Sequence, residues 1–545
     1  MLRSNLLENK LFYRTFLLMV VVALVSYFFG FFVDVTRDAG KYATVAKEIF
    51  QNGNYINLTV HGMPYDQKPP MLFWLGALGF RVGGVSNFWF KFPVFLIILL
   101  GFYSTYRLGK SMYNKDTGII AGSLLFFSLM YSLYSMDVHT DTPLQAFVAF
   151  ALWQLFDFIK TKKSIHCLLG FTGIGLAMLT KGPIGMAIPA FAVGGHILLS
   201  KNFQSIKDYR WYLGILWAFV VASPALIGLF SQFGWDGIAF FFWKNNVGRM
   251  TGTYVGSNNT DYLFYLYNLA FLFLPWSLLF FGAAFMEFKQ LFKNKFKSKE
   301  YFTLTGIWVF LIILSFSRSK LPNYMFIIFP LIAVLVAKWI DIAITQKDRL
   351  YRLFFVVQNV VVAFLWVAVI GLTAYLFPSE NPGFWVVWLM MIALTLYVYK
   401  AGVGQAGRLL LPSIIAISAL MLYLNASVFP FIFKHQAPPA AARLYTKLAK
   451  EGEKLYNYRY GQYELFFYSE PQAIQLNGDQ LKEIVTTPQP WIFTDEIGLN
   501  ELNSLNCETD TVIKYQHLYL NKGAKFVLPS KRDEALKPLF LVKLK

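Results

Sequence analysis

Long apolar runs decide what this chain can become. Thirteen of them lie near 15–33, 92–108, 117–136, 143–159, 165–180, 183–200, 211–231, 262–284, 301–317, 322–340, 353–376, 383–400 and 409–430. Each is roughly 16–24 residues long, the length a helix needs to cross about 30 Å of hydrocarbon. The chain is 56% hydrophobic and only 14% charged over 545 residues, too apolar for a soluble protein of this size. The expected fold is an α-helical polytopic membrane protein with about thirteen transmembrane helices. Met1–Arg14 is polar and basic, and the run after it lacks a small-residue cleavage pattern. It reads as an uncleaved first membrane helix rather than a signal peptide.

A formal charge of +19 raises the question of nucleic acid, and the placement of the cations argues against it. They gather in alternate short loops: Arg3/Lys10/Arg14, Arg107/Lys110/Lys115, Lys160/Lys162/Lys163, Lys201/Lys207/Arg210, Lys289–Lys299, Lys338/Lys347/Arg349/Arg352 and Lys400/Arg408. That is the pattern of cytoplasmic loops in the positive-inside rule. With the N-terminus inside and an odd number of spans, the tail after Pro430 is expected outside. The two cysteines, Cys167 in an apolar run and Cys507 in the polar tail, imply neither a disulfide framework nor a cysteine metal site.

The other loops, expected outside, differ in kind. Their charges come in mixed-sign groups beside Pro, Gly and Tyr. Within the first, residues 71–82 are apolar but too short to span, so an interfacial helix is expected; 235–250, with Trp235, Phe240–Trp243, Lys244 and Arg249, invites the same reading. After Pro430 the composition shifts to a helix-like Ala441–Glu453 and short alternating runs. The expected division is a membrane domain over 1–430 and a soluble α/β domain over 431–545.

Four groups carry chemistry. The first is Asp34, Arg37, Asp38 and Lys41, followed by Tyr65, Asp66 and Lys68. In one helix Asp34 and Asp38 would share a face, as would Arg37 and Lys41. Carboxylates supply a general base and cations suit a phosphate leaving group, against the plainer reading of helix capping with surface ion pairs. The second is Asp137, His139 and Asp141 before Pro143. It reads as a helix N-cap, as a carboxylate pair, or as a divalent-metal site with His139 as a ligand. The third is Lys181 in a Gly-Pro break, an ammonium that either meets an anion or snorkels to the interface. The fourth is Arg318 and Lys320 before Pro322, Asn323 and Tyr324; cations on the side opposite the basic loops suit a substrate phosphate or a lipid headgroup.

At these residues the chain resembles the C-type integral-membrane glycosyltransferases, near the lipid A aminoarabinose transferase and, more distantly, the protein O-mannosyltransferases. The carriers are Asp34 with Arg37, Tyr65-Asp66-Gln67-Lys68-Pro69, Asp141-Thr-Pro-Leu144, Lys181-Gly-Pro183 and Lys320-Leu-Pro-Asn-Tyr324. The family commonly has Asp-Glu after the first helix. Here Asp34-Val35 keeps the first acid, and Asp38 is the candidate for the second.

The resemblance implies transfer of a sugar from a polyprenyl-phosphate carrier, such as undecaprenyl phosphate, at the outer face of a bacterial inner membrane. A lipid A-like glycolipid is the favoured acceptor and a protein the alternative. It implies Asp34 as the catalytic carboxylate and Asp141 as the second. Lys68, Lys181, Lys320 and Tyr324 fall to the carrier phosphate, with Arg318 beside them, while Arg37 either pairs with Asp34 or reaches that phosphate. Tyr65, Asp66 and Asp137 remain as substrate contacts. No cofactor is required on this reading. A transporter or flippase of lipid-linked sugars predicts inverted repeats and charges near mid-membrane, and neither is seen.

Overall fold

The computed structural model of the chain describes residues 6–253, 258–298, 300–346, 348–485, 487, 489–519 and 523–545; Arg3, Lys299 and Lys347 of the basic loops lie outside them. All thirteen apolar runs are helical. Nine helices among the described residues are long and apolar enough to cross a membrane, and 117–136 adds a bent pair. The other three runs give shorter or broken helices, so the count of thirteen spans rests on how those three are read.

The first span, α1 (Lys10–Phe32), is followed by α2 (Arg37–Asn52), a two-stranded hairpin (β1 Thr59–Val60, β2 Met63–Pro64) and α3 (Met71–Gly83). Then come α4 (Asn87–Met112), the bent pair α5 (Lys115–Phe126) and α6 (Leu129–Met136), α7 (Asp141–Thr161), α8 (Ser164–Lys181) and α9 (Ile184–Leu199). Helix α10 (Arg210–Ala239) is broken at Gly234, whose φ of 58° is left-handed. It runs into a π-helical turn over Phe240–Lys244 and the short α11 (Val247–Thr251). The second half holds α12 (Phe264–Leu272), α13 (Ser277–Lys293), α14 (Phe302–Phe316), a 3-10 segment Pro322–Ile328 and α15 (Phe329–Gln346). It ends with α16 (Asp348–Gly371), α17 (Gly383–Lys400), α18 (Gly404–Tyr423) and α19 (Phe429–Phe433).

The C-terminal domain opens with α20 (Ala437–Leu448) and β3 (Leu455–Tyr458), then α21 (Glu464–Tyr468). After β4 (Ile474–Leu476) come α22 (Leu481–Ile484), β5 (Trp491–Asp495), α23 (Glu496–Ser504), β6 (Thr509–Leu518) and β7 (Leu536–Leu544). The five strands form one mixed sheet in the order β4-β3-β5-β7-β6, with β3 parallel to both neighbours and β7 antiparallel to both of its own. Helix α20 packs on this sheet through Ala441, Ala442 and Tyr445.

Two devices place the segment after α1. The ammonium of Lys91, fully buried in α4, donates to the carbonyls of Gly30 at 3.1 Å and Val33 at 2.6 Å. These are the acceptors that a helix C-terminus leaves unpaired, so α4 holds the end of α1. Helix α3 is the expected apolar helix of the first loop. It buries Leu72, Phe73, Gly76, Ala77 and Phe80 and leaves Leu78 and Val82 exposed. It crosses α4 so closely that a Cβ on Gly79 would lie 1.8 Å from the carbonyl oxygen of Trp89. Because α3 starts directly after Lys68-Pro69-Pro70, this crossing fixes where Lys68 stands. Gly79→Ala is therefore expected to push α3 off α4 and lower the thermal midpoint of the purified protein by at least about 3 °C, the effect of overpacking by ~1 kcal/mol or more. Leu78→Ala, at a position 56% exposed, should leave the midpoint nearly unchanged.

Candidate functional site

Three elements meet at one buried ion pair, at the end of the bundle that the C-terminal domain covers. Helix α7 begins at Asp141, with Pro143 in its first turn where a missing N–H does no harm. Helix α8 ends at Lys181, and Gly182, with a φ of 82°, turns the chain into Pro183 and α9. The Lys181 ammonium donates to Asp141 Oδ1 at 2.5 Å, and Asn323 Nδ2 donates to the other oxygen at 2.8 Å. Asp141 is 3% exposed, so both its oxygens are committed inside the protein. The ring of Tyr324 lies under the same ammonium, 4.6 Å from it.

Two further cations complete the head of a cavity. Arg249 reaches in from α11; its Nε donates to Asn245 Oδ1 at 2.8 Å and its Nη1 to the Tyr324 hydroxyl at 3.3 Å. Asn245 in turn donates to the carbonyl of Gln67 at 3.2 Å, tying this segment to the residue before Lys68. Lys68, Lys181, Arg249 and Tyr324 all line a cavity of about 390 Å³. Its walls are apolar: Ile184, Ala187 and Phe191 of α9, Phe242 of the π turn, and Phe310, Ile313 and Leu314 of α14. Burial, then the charges of Lys181 and Arg249, pull the Lys68 ammonium down to about 7, against the pull of Asp141 and Asp38. Three crowded cations above an apolar groove fit an anionic amphiphile.

Asp38 lies in the first turn of α2. Its side chain is 53% exposed, it pairs with Lys41 at 3.6 Å, and its charge is felt at Lys68 and at His139. Lys41 also donates to Gln67 Oε1 at 3.1 Å.

The remaining expected residues go elsewhere. Asp34 is held in a two-point ion pair with Arg443 of α20 and accepts from Asn87 at 2.8 Å. It shares no helix face with Asp38, because α2 begins only at Arg37. The Arg37 side chain is exposed, and its backbone N–H is taken by Glu464 at 2.5 Å. Arg318 and Lys320 serve the neighbouring loop. Arg318 donates to Asn258 Oδ1 at 2.9 Å and Lys320 to the carbonyl of Asn259 at 2.9 Å. Tyr65 is buried edge-on to Phe73, and burial raises the carboxyl of Asp66. Asp137 and His139 pair with each other at 3.1 Å. Burial opposes protonation of that ring, but Asp137, Asp141 and Asp38 outweigh it and leave His139 above its ordinary value. Among the described residues no group of three or more His, Cys, Asp or Glu is placed to hold a metal ion, so the metal reading of His139 finds no ligand set.

Sequence reasoning missed Arg249 as a site residue, along with Arg443, Glu464 and Tyr468. Arg249 did carry a signal, a cation that with Lys244 follows an aromatic run on the side opposite the basic loops. The other three act across more than 370 residues of chain, and no local pattern marks them.

The chain is similar to known proteins over part or most of its length. The model of a family described as dolichyl-phosphate-mannose-protein mannosyltransferase matches residues 67–227, from Gln67 past Lys181. An uncharacterized protein of Aquifex aeolicus is 24% identical over 545 residues, 98% of this chain and all of that one. The undecaprenyl phosphate-alpha-4-amino-4-deoxy-L-arabinose arabinosyl transferase 2 of Proteus mirabilis is 24% identical over 367 residues, 65% of this chain and 64% of its own length. The corresponding transferase of Pseudomonas aeruginosa (strain LESB58) is 25% identical over 292 residues, 53% and 52% of the two chains. The matched region thus spans about half to two thirds of those transferases. The crystal structure of ArnT from Cupriavidus metallidurans bound to undecaprenyl phosphate superimposes with a TM-score of 0.74 at 17% identity, over 96% of this chain and 97% of that one.

The lowered Lys68 gives a pH signature. Binding a phosphate favours its charged form, so in the complex its pKa rises above the free value of about 7. Between the two values binding takes up a proton, and affinity falls as pH rises. Affinity for undecaprenyl phosphate in nanodiscs is expected to drop up to about tenfold per pH unit above pH 7. In Lys68→Ala it should be weaker at pH 7 and flat above it.

Proposed function

We propose that this chain, a member of the C-type integral-membrane glycosyltransferases, moves a sugar from a polyprenyl-phosphate carrier to an acceptor at the outer face of the bacterial cytoplasmic membrane. The observation that carries this reading is the head of the cavity. Lys68, Lys181 and Arg249 converge on one point above an apolar groove, the shape and charge of a phosphate on an isoprenoid chain. The fold shared with an ArnT crystallised with undecaprenyl phosphate supports the same donor class. The N-terminus is then cytoplasmic and the C-terminal domain periplasmic.

The chemistry follows from where charge develops. An acceptor oxygen attacks C1 of the sugar, the bond from C1 to the phosphate oxygen breaks, and the electron pair leaves with the polyprenyl phosphate. Lys68, Lys181 and Arg249 stabilise that leaving anion. Asp141 does not act as a base: its two oxygens hold Lys181 and Asn323, so it orients the phosphate-binding ammonium. Asp38, half-exposed and close enough for its charge to act on Lys68, takes the proton of an acceptor hydroxyl or, for an acceptor that is already an anionic phosphate, positions it. Asp34, paired with Arg443, is assigned a structural part.

A lipid A-like glycolipid is the favoured acceptor, on the likeness to the aminoarabinose transferases. A protein hydroxyl is the second reading, supported by the mannosyltransferase family match. Mass spectrometry of glycolipids and surface proteins from a deletion strain separates the two. Loss of one sugar from a glycolipid is expected, loss from a protein would select the second reading, and no change in either would contradict both. With the purified enzyme, Asp38→Asn should lower turnover about 10²-fold or more while leaving polyprenyl-phosphate binding intact. Asp34→Asn should lower turnover less than that, and the reverse order would return the catalytic role to Asp34.

A further inference from the structure

The joint between α1 and α2 is held from outside the bundle. Residues 33–36 form no helix or strand, and Arg37, which starts α2, has a left-handed φ of 49°. A side-chain-bearing residue keeps that conformation only when its surroundings impose it. Here they belong to the C-terminal domain. The Val35 N–H donates to the Tyr468 hydroxyl at 2.7 Å, and that hydroxyl donates to Asn87 Oδ1 at 2.7 Å. The Arg37 N–H donates to Glu464 Oε1 at 2.5 Å, and the Tyr460 hydroxyl donates to the other oxygen at 3.4 Å. Glu464 is 1% exposed, so its carboxylate is dedicated to this contact.

The grip continues along α2. The Lys47 ammonium, 2% exposed, donates to the carbonyls of Ser469 at 2.7 Å and Phe467 at 3.2 Å and pairs with Glu470 at 3.2 Å. Gly40 lets α21 in: a Cβ there would lie 3.2 Å from Glu464 Cγ. Asp38 is the residue after Arg37. A rotation of the first turn of α2 therefore swings its carboxylate directly.

We propose that Glu464, assisted by Tyr468, is a positioning residue: the C-terminal domain fixes the start of α2 and so aims Asp38 at the acceptor. The inference rests on Asp38 being the carboxylate that meets the acceptor. None of the phosphate-cluster residues lies on α2 or in the C-terminal domain: Lys68 precedes α3, Lys181 ends α8, Arg249 is on α11 and Tyr324 is in the 322–328 segment, so the donor site does not rest on the Glu464 contact directly. A loss that appears in kcat with KM for the donor unchanged is the mark of this role.

The test uses the full-length enzyme in nanodiscs with an undecaprenyl-phosphate-linked sugar, comparing Glu464→Ala, Glu464→Gln and Asp38→Asn. Glu464→Ala is expected to lower kcat about tenfold or more with donor KM within about twofold, since small misplacements of a reacting group cost that much. Glu464→Gln keeps a carbonyl oxygen that accepts the Arg37 N–H and should restore most of kcat. If Glu464→Ala does not fold, Tyr468→Phe, which removes one hydroxyl, carries the same expectation with a smaller loss. Inactive Asp38→Asn beside fully active Glu464→Ala, or a loss confined to donor KM, would overturn the inference alone. Fully active Asp38→Asn would overturn the base reading and the inference with it.

Discussion

The site is built around one largely buried ion pair, Lys181 with Asp141. Lys181 ends α8, Asp141 begins α7, and Asn323 opens the segment before α15; two hydrogen bonds to one carboxylate bring the three together. Removing one partner of such a pair strands the other charge, at about 3–5 kcal/mol. The arrangement also sets how much of Lys181 is available. With Asp141 on one side and the Tyr324 face on another, the ammonium remains directed at the cavity head that Lys68 and Arg249 share. Burial first, and then the charges of Lys181 and Arg249, disfavour the charged form of Lys68, and a phosphate placed among them would favour it.

The membrane part of the fold was legible because hydropathy is a local property. Every apolar run became helix, and the apolar stretch 71–82 became α3. The site was legible in part, for a physical reason. Lys68, Lys181, Asp141 and Tyr324 were singled out as charges or polar groups at helix ends, and those do converge. Asp34 and Asp38 were paired on the assumption of one continuous helix, and the chain breaks that helix at 33–36. Asp137 and Asp141, four residues apart, do not share a helix either, since α6 ends at Met136 and α7 starts at Asp141. Arg318 and Lys320 were expected at a phosphate because they stand against the charge rule. They satisfy themselves on Asn258 and Asn259 instead, contacts that only the folded loop creates.

On the proposed reading, the two halves of the reaction come from different parts of the chain. The donor end belongs to the bundle, where cations and apolar walls sit on helices that cross tightly. The acceptor end, at Asp38, belongs to a short helix clamped between α3 and the C-terminal domain. On that reading the C-terminal domain, which holds α2 through buried Glu464 and through its carbonyls at Lys47, is part of the working site rather than a lid over it. This division also accounts for Asp34. Its ion pair with Arg443 fastens the same joint from the other side, in keeping with the structural part proposed for it.

On the proposed reading, the carrier phosphate lies between Lys68, Lys181 and Arg249 with its isoprenoid chain in the groove of α9 and α14. A cryo-EM structure of the enzyme in nanodiscs with undecaprenyl phosphate tests it most directly. Phosphate density within hydrogen-bond distance of at least two of those three cations, with the chain running past Phe191 and Phe310, is the predicted result. Phosphate density at Arg318 and Lys320, or beside Arg443, would contradict it.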